Sequence, residues 1–181
     1  MSVLLIMRKP RIIRDGALYH VVARANRREY ILSPDDIKSM FLDVVAGAKR
    51  KYRFHIVNFC VMNNHFHFMI APLKGENISR IMQWILSVFA VRYNKRFGLC
   101  GHVWYDRFKS KIVDGILNFL HAFRYIAENP VRAGIVTRAW EYEFNGVTFL
   151  RNKDFHIMER PDPLLLLWEP SFCTPPLLSE I

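Results

Sequence analysis

Asn63-Asn64-His65-Phe66-His67-Phe68-Met69-Ile70-Ala71-Pro72 is the stretch on which the reading of this chain turns. After the paired asparagines the run is apolar and aromatic, the composition of a buried β-strand. Side chains alternate across a strand, so His65 and His67 share one face while Phe66, Phe68 and Ile70 share the other, toward a core. Two imidazoles side by side on a rigid element are the beginning of a metal site. Spacing alone also allows two polar residues on the solvated face of a half-buried strand, because His-x-His is a weak pattern.

Working outward, residues 53–62 read as a strand, and only Asn63-Asn64 separates it from the next, the length and residue type of a tight hairpin. Residues 17–25 (ALYHVVARA) form an earlier strand that ends in the cationic Asn26-Arg27-Arg28. Between them, Ser33-Pro34-Asp35-Asp36 predicts a helix start, with Ser33 as N-cap and Pro34 at the first position. Ile37, Phe41, Val44, Val45 and Ala48 then give a helical stripe. Downstream, Asn77 is placed to cap a second helix, striped by Ile78, Ile81, Met82, Ile85, Leu86, Phe89 and Tyr93 and ended by Gly98. Residues 101–113 (GHVWYDRFKSKIV) read as a strand or short hairpin. Asp114 starts a third helix expected to run to Asn129, where Pro130 stops it. This order predicts an α+β, ferredoxin-like antiparallel sheet with helices on one face and an added C-terminal helix. One domain over residues 8–150 is expected, followed by a proline-broken tail at 151–181.

The 181 residues are 51% hydrophobic, enough for a full-sized core. Lys and Arg number 26 against 16 acidic residues, a formal net charge of +10 that a fold does not need. That excess points to a polyanionic partner, nucleic acid ahead of a membrane surface. Cys60, Cys100 and Cys173 form neither a disulfide framework nor a zinc knuckle, which suits a reducing cytoplasm. The apolar runs at 3–7 and 164–168 are too short to span a bilayer, so no membrane association is expected.

The third helix adds chemistry. Taking Ile116, Phe119, Leu120, Phe123, Ile126 and Ala127 as its apolar face, Tyr125 falls roughly 180° from Ile116 by helical rotation. It is therefore expected on the polar face, with His121 and Asn129 one turn to either side. Asn129 could add an oxygen to the two imidazoles. Such a set suits Mg²⁺ or Mn²⁺ with positions left for water and a phosphate; zinc remains open. A metal that polarises a phosphodiester and a tyrosine that attacks it together define a covalent phosphoryl-transfer reaction.

Four ordered blocks carry a resemblance. They are Tyr19-His20-Val21-Val22-Ala23-Arg24-Ala25-Asn26-Arg27-Arg28; Val61-Met62-Asn63-Asn64-His65-Phe66-His67; residues 101–110 (GHVWYDRFKS); and residues 125–134 (YIAENPVRAG). Through these the chain resembles the single-tyrosine HUH-type, IS200-like transposases, in particular the REP-associated tyrosine transposase branch. The resemblance implies an enzyme that cleaves and rejoins single-stranded DNA near hairpins through a 5′-phosphotyrosine, releasing a 3′-OH. It makes Tyr125 the nucleophile and His65, His67 and Asn129 the metal ligands. Relatives are monomers or dimers, so a homodimer is among the expected assemblies, in a bacterial cytoplasm at the nucleoid.

Arg8, Arg11, Arg24, Arg27, Arg28, Arg107, Lys109, Lys111 and Arg132 are the candidate phosphate contacts, each near a strand end or helix terminus beside the expected site. Trp104, Tyr105 and Phe108, interleaved with them, are candidates for stacking on bases, with core packing the expected use of at least one of them. Two alternatives stand beside strand transfer: a non-catalytic hairpin-binding protein using the same basic surface, and a metal-dependent phosphodiesterase with water as nucleophile.

Overall fold

The computed structural model describes residues 11–160. Arg8, Cys173 and residues 161–181 of the expected tail lie outside them. The elements are β1 (Tyr19–Arg24), α1 (Asp35–Lys51), β2 (Phe54–Val61), β3 (His65–Pro72), α2 (Ile78–Phe97), β4 (Lys109–Ile112), α3 (Gly115–Ala127), α4 (Asn129–Arg132) and α5 (Gly146–Asn152). The strands form one sheet in the order β2-β3-β1-β4, every neighbour antiparallel. This is the ferredoxin-like α+β arrangement.

Strand alternation sorts the sheet into two chemical faces. Tyr19, Val21 and Ala23 of β1 and Phe66, Phe68 and Ile70 of β3 are buried beneath α1 and α2. There Phe41 of α1 contacts Phe66, Phe68 and Phe89 with ring centroids 4.8, 5.9 and 5.2 Å away. Aromatic clusters of this kind dominate core energetics, and truncating such a Phe to Ala typically costs about 3–5 kcal/mol. The opposite face carries His20, Val22 and Arg24 of β1, His65 and His67 of β3, and Lys109 and Lys111 of β4. The packing of one face thereby fixes the chemistry of the other.

The β2–β3 turn is tied down from outside. The Met62 N–H donates to the His65 carbonyl (2.8 Å), closing the two-residue connection. Neither asparagine takes a positive φ; instead their carbonyls accept from Leu32 and Ala25, and the Asn64 amide donates to the Arg28 carbonyl. His65 begins β3 right after this anchored turn. Asn77 caps α2 as its sequence predicts, accepting from the Ser79 and Arg80 amides, and Gly98 ends the helix in the left-handed region at φ 63°.

Three sequence expectations are corrected. Pro34, extended at φ −68° and ψ 136°, takes the cap position of α1, and its carbonyl accepts from the Ile37 and Lys38 amides. Ser33 instead offers its carbonyl to the buried Lys38 ammonium. Of residues 101–113 only Lys109–Ile112 is a strand; Gly101 at φ 96° and the seating of Trp104 in the core break the extended run. Pro130 does not stop the helical path: it stands in the first turn of α4, where a missing N–H costs nothing, and the Glu128 carbonyl accepts from Arg132. Just past residue 150 the chain packs back on the domain. Ile157 and Met158 are buried, and Glu159 joins Lys49 and the Ile56 carbonyl. Among the described residues no helix is long and apolar enough to cross a membrane.

Candidate active site

β3, β1 and the end of α3 meet over the polar face of the sheet. His65 and His67 stand with ring centroids 5.1 Å apart. His65 is half-buried and donates through Nδ1 to Asn64 Oδ1 (2.8 Å), and the Asn129 side chain lies close enough to favour its protonated form. Asn129 is itself oriented by donating its amide to the Tyr125 carbonyl (2.8 Å), which leaves its oxygen with lone pairs to offer. His67 is 4% exposed, and its Nε2 is buried without a partner. A buried imidazole nitrogen with nothing to bond is costly unless a ligand completes it. His65, His67 and Asn129 thus converge, and they fit a divalent cation by donor type and by this unfilled nitrogen. Among the described residues no cluster of three or more His, Cys, Asp or Glu side chains has metal-holding geometry; this set depends on an amide oxygen.

Electrostatics keep the imidazoles neutral, as ligation requires. Burial pushes His65 down to about 4, with Arg24 adding to the effect and Asn129, an acceptor for the protonated ring, opposing it. Burial also pushes His67 down to about 3, helped by His65, His20 and Arg24.

Tyr125 stands beside this set, its ring centroid 5.5 Å from that of His67 and 5.9 Å from that of His20, both edge-on. The Arg132 guanidinium lies 5.4 Å from the same ring, steadied by Glu128, which also pairs with Arg124. The helical-wheel expectation for Tyr125 needs revision. Ile116, taken as the middle of the apolar face, is 56% exposed, while only Ile126 and Ala127 of α3 are fully buried. Tyr125 is one residue from Ile126, roughly 100° round the helix. It occupies the flank of the buried face, over the histidines, and not the pole opposite it.

Two buried asparagines, unassigned from the sequence, hold that end of α3. A bulge between Ile56 and Asn58 sends the Asn58 side chain inward, where its amide donates to the Phe123 carbonyl (3.0 Å) and its oxygen accepts from the Phe59 N–H (2.8 Å). Asn145 donates to the Ala127 and Ala139 carbonyls at 2.8 and 3.2 Å. Gly146 is needed beside them: a Cβ there would lie 2.2 Å from Asn58 Oδ1. Isolated polar residues leave no periodic signal, so nothing in the sequence pattern marked them. His20 was legible, since Tyr19, Val21 and Ala23 point inward and leave it on the site face.

The expected phosphate contacts divide. Arg24, Arg27, Arg28, Arg107 and Lys109 line a cleft of about 580 Å³ together with Tyr105, beside β1 and β4. Arg27 and Arg28 are both left-handed, at φ 52° and 59°, a conformation worth roughly 1–2 kcal/mol of strain per residue. Asn26 holds them through its Oδ1 to the Arg27 N–H, and Asn64 through the Arg28 carbonyl. Lys111 extends the cationic row along β4, and Arg132 lies at Tyr125. Arg11 is engaged within the protein: its guanidinium lies 3.5 Å over the Phe108 ring and donates to Ser79 Oγ and the Phe108 carbonyl. Of the three aromatics, Trp104 packs on Phe41, Phe66 and Phe89 and donates to the Leu86 carbonyl, and Phe108 is buried. Tyr105, 73% exposed, has its ring free for stacking.

The family model described as "Transposase IS200 like" matches residues 14–129. A solved REP-associated tyrosine transposase bound to a REP hairpin superposes with a TM-score of 0.69 at 22% identity, covering 87% of this chain and 93% of the other. That likeness establishes the shared fold. A candidate transposase from Deinococcus radiodurans R1 gives a TM-score of 0.48 at 17% identity over 71% of this chain and 92% of its own, too loose a likeness to bear on the site. No curated protein matches the sequence.

Proposed function

Since this chain belongs to the IS200-like transposase family, we propose that it cleaves and rejoins single-stranded DNA beside a hairpin through a covalent bond to Tyr125. One observation carries the reading: the Tyr125 ring lies against His67 while Asn129, one turn on, reaches His65. The hairpin is suggested by the solved relative, whose structure contains a REP hairpin.

In this mechanism the phosphodiester enters along the cationic row of β1 and β4, guided by Arg24, Lys109 and Lys111. His65, His67 and Asn129 would hold Mg²⁺ or Mn²⁺, which when bound draws charge from a non-bridging phosphate oxygen. Tyr125 Oη attacks phosphorus in line. The bond from phosphorus to the 3′ oxygen breaks, the proton released by the tyrosine hydroxyl balances the one taken up by the leaving 3′-OH, and a 5′-phosphotyrosine remains. Attack by a 3′-OH on that phosphotyrosine reverses the step, restoring the diester and the tyrosine without external energy. Arg132, lying at the Tyr125 ring, favours the developing negative charge.

The test is an adduct assay with a hairpin-bearing single strand and Mn²⁺. The wild type is expected to give a species that survives denaturing electrophoresis, and Tyr125→Phe none. Equal hairpin binding by His65→Ala/His67→Ala with no adduct from any form would leave a binding protein only.

A further inference from the structure

His20 makes one contact that strand transfer as written does not use. Its Nε2 lies 2.9 Å from Nδ1 of His67. The two rings are tilted 31° to each other with centroids 5.2 Å apart. His20 reaches there from β1, where it pairs across the ladder with Met69, two residues beyond His67 on the same face. Neutral imidazole carries one donor and one acceptor, so this contact has two possible proton arrangements. If His20 donates, the His67 proton must sit on Nε2, a buried nitrogen with no acceptor in reach. If His67 donates, its Nε2 carries a lone pair instead, and the buried nitrogen becomes a ligand in waiting.

We infer that His20 is a positioning residue: it accepts the Nδ1–H of His67, fixing the ring angle and the tautomer that presents Nε2 to a divalent cation. The inference rests on the metal reading above. Among the described residues His20 is the one hydrogen-bond partner of the His67 ring. Asn64 Oδ1 is held by His65, and the Asn129 amide bonds to the Tyr125 carbonyl. Outer partners that orient a ligating histidine this way typically affect metal affinity by about 10–100-fold. His20 touches the ring of Tyr125 only edge-on, so its action runs through His67 and not through the nucleophile.

Two measurements on the DNA-free protein test this. The first reads the His67 tautomer from ring ¹⁵N shifts, with His67→Gln identifying the signals. The second is a titration with Mn²⁺ followed by calorimetry, with Co²⁺ absorption as a spectroscopic check. Expected are an Nδ1–H tautomer in the wild type, a 10–100-fold weaker Mn²⁺ affinity in His20→Leu, and recovery of most of it in His20→Gln, whose amide oxygen accepts. An Nε2–H tautomer in the wild type overturns the inference. So does unchanged Mn²⁺ affinity in folded His20→Leu and His20→Gln alike. If the wild type binds no Mn²⁺ or Mg²⁺, the metal reading fails, and the ¹⁵N shifts still decide the hydrogen bond. Should His20→Leu not fold, the shifts and His20→Gln carry the test.

Discussion

Asn58→Ala is the perturbation that most sharply separates position from chemistry. The side chain touches neither of the histidines, yet it joins β2 to the α3 turn that carries Tyr125. Truncation removes the bond to the Phe123 carbonyl and leaves the buried Phe59 N–H without its side-chain acceptor. At about 0.5–1.5 kcal/mol per bond, plus the desolvation of groups left unmatched, the expected loss is about 2–4 kcal/mol. That should appear as a lower midpoint in urea with little change in slope. Freed from its anchor, the end of α3 shifts, and a displacement near 1 Å at a reacting group costs up to about 100-fold in rate. Single-turnover adduct formation should therefore slow by tens-fold at temperatures where the variant remains folded, with hairpin affinity nearly unchanged. Gly146→Ala should reproduce the phenotype, because the added Cβ would lie 2.2 Å from Asn58 Oδ1 and displace it. Wild-type stability together with wild-type rate in both variants would refute the argument that these contacts place Tyr125.

Other consequences concern charge and stacking. His65 and His67 are depressed to about 4 and 3, whereas an unfolded histidine titrates near 6.5. The unfolded chain thus binds more protons between these values, and the thermal midpoint should fall as the pH drops from 7 toward 4; replacing both residues by Gln should flatten that slope. Among the described residues seven of the candidate cations remain facing the proposed DNA path, at about −0.7 each in the slope of log affinity against log salt for a single strand. Arg28→Gln should lower the slope by about 0.7 and Arg11→Gln should leave it unchanged, as filter binding across a salt series would show. Tyr105→Ala should weaken single-strand binding by about 1–3 kcal/mol in fluorescence titration, without affecting stability.

The sequence carried the sheet well because strand alternation is a two-residue signal: Phe66 and Phe68 could only face the core under α1 and α2 if His65 and His67 faced the other side of the sheet. It carried α3 less well. A helical wheel weights every turn equally, whereas only the last turn, at Ile126 and Ala127, is fully buried, so Ile116 misled the estimate of where Tyr125 points. Trp104 and Phe108 looked like stacking residues by their basic neighbours, and the core took both. Arg11 was drawn inward by the Phe108 ring for the same reason. Asn58 and Asn145 could not be found without the bulge and the helix end they serve, both products of tertiary structure.

The most direct test of covalent strand transfer is where the DNA is attached. Wild-type protein incubated with a hairpin-bearing single strand and Mn²⁺, then digested with nuclease and protease, should yield one modified peptide. Mass spectrometry should place a 5′-linked nucleotide on Tyr125, with an equimolar fragment ending in 3′-OH. Fragments with free 5′-phosphates and no modified peptide, or an adduct that persists in Tyr125→Phe, would contradict the account.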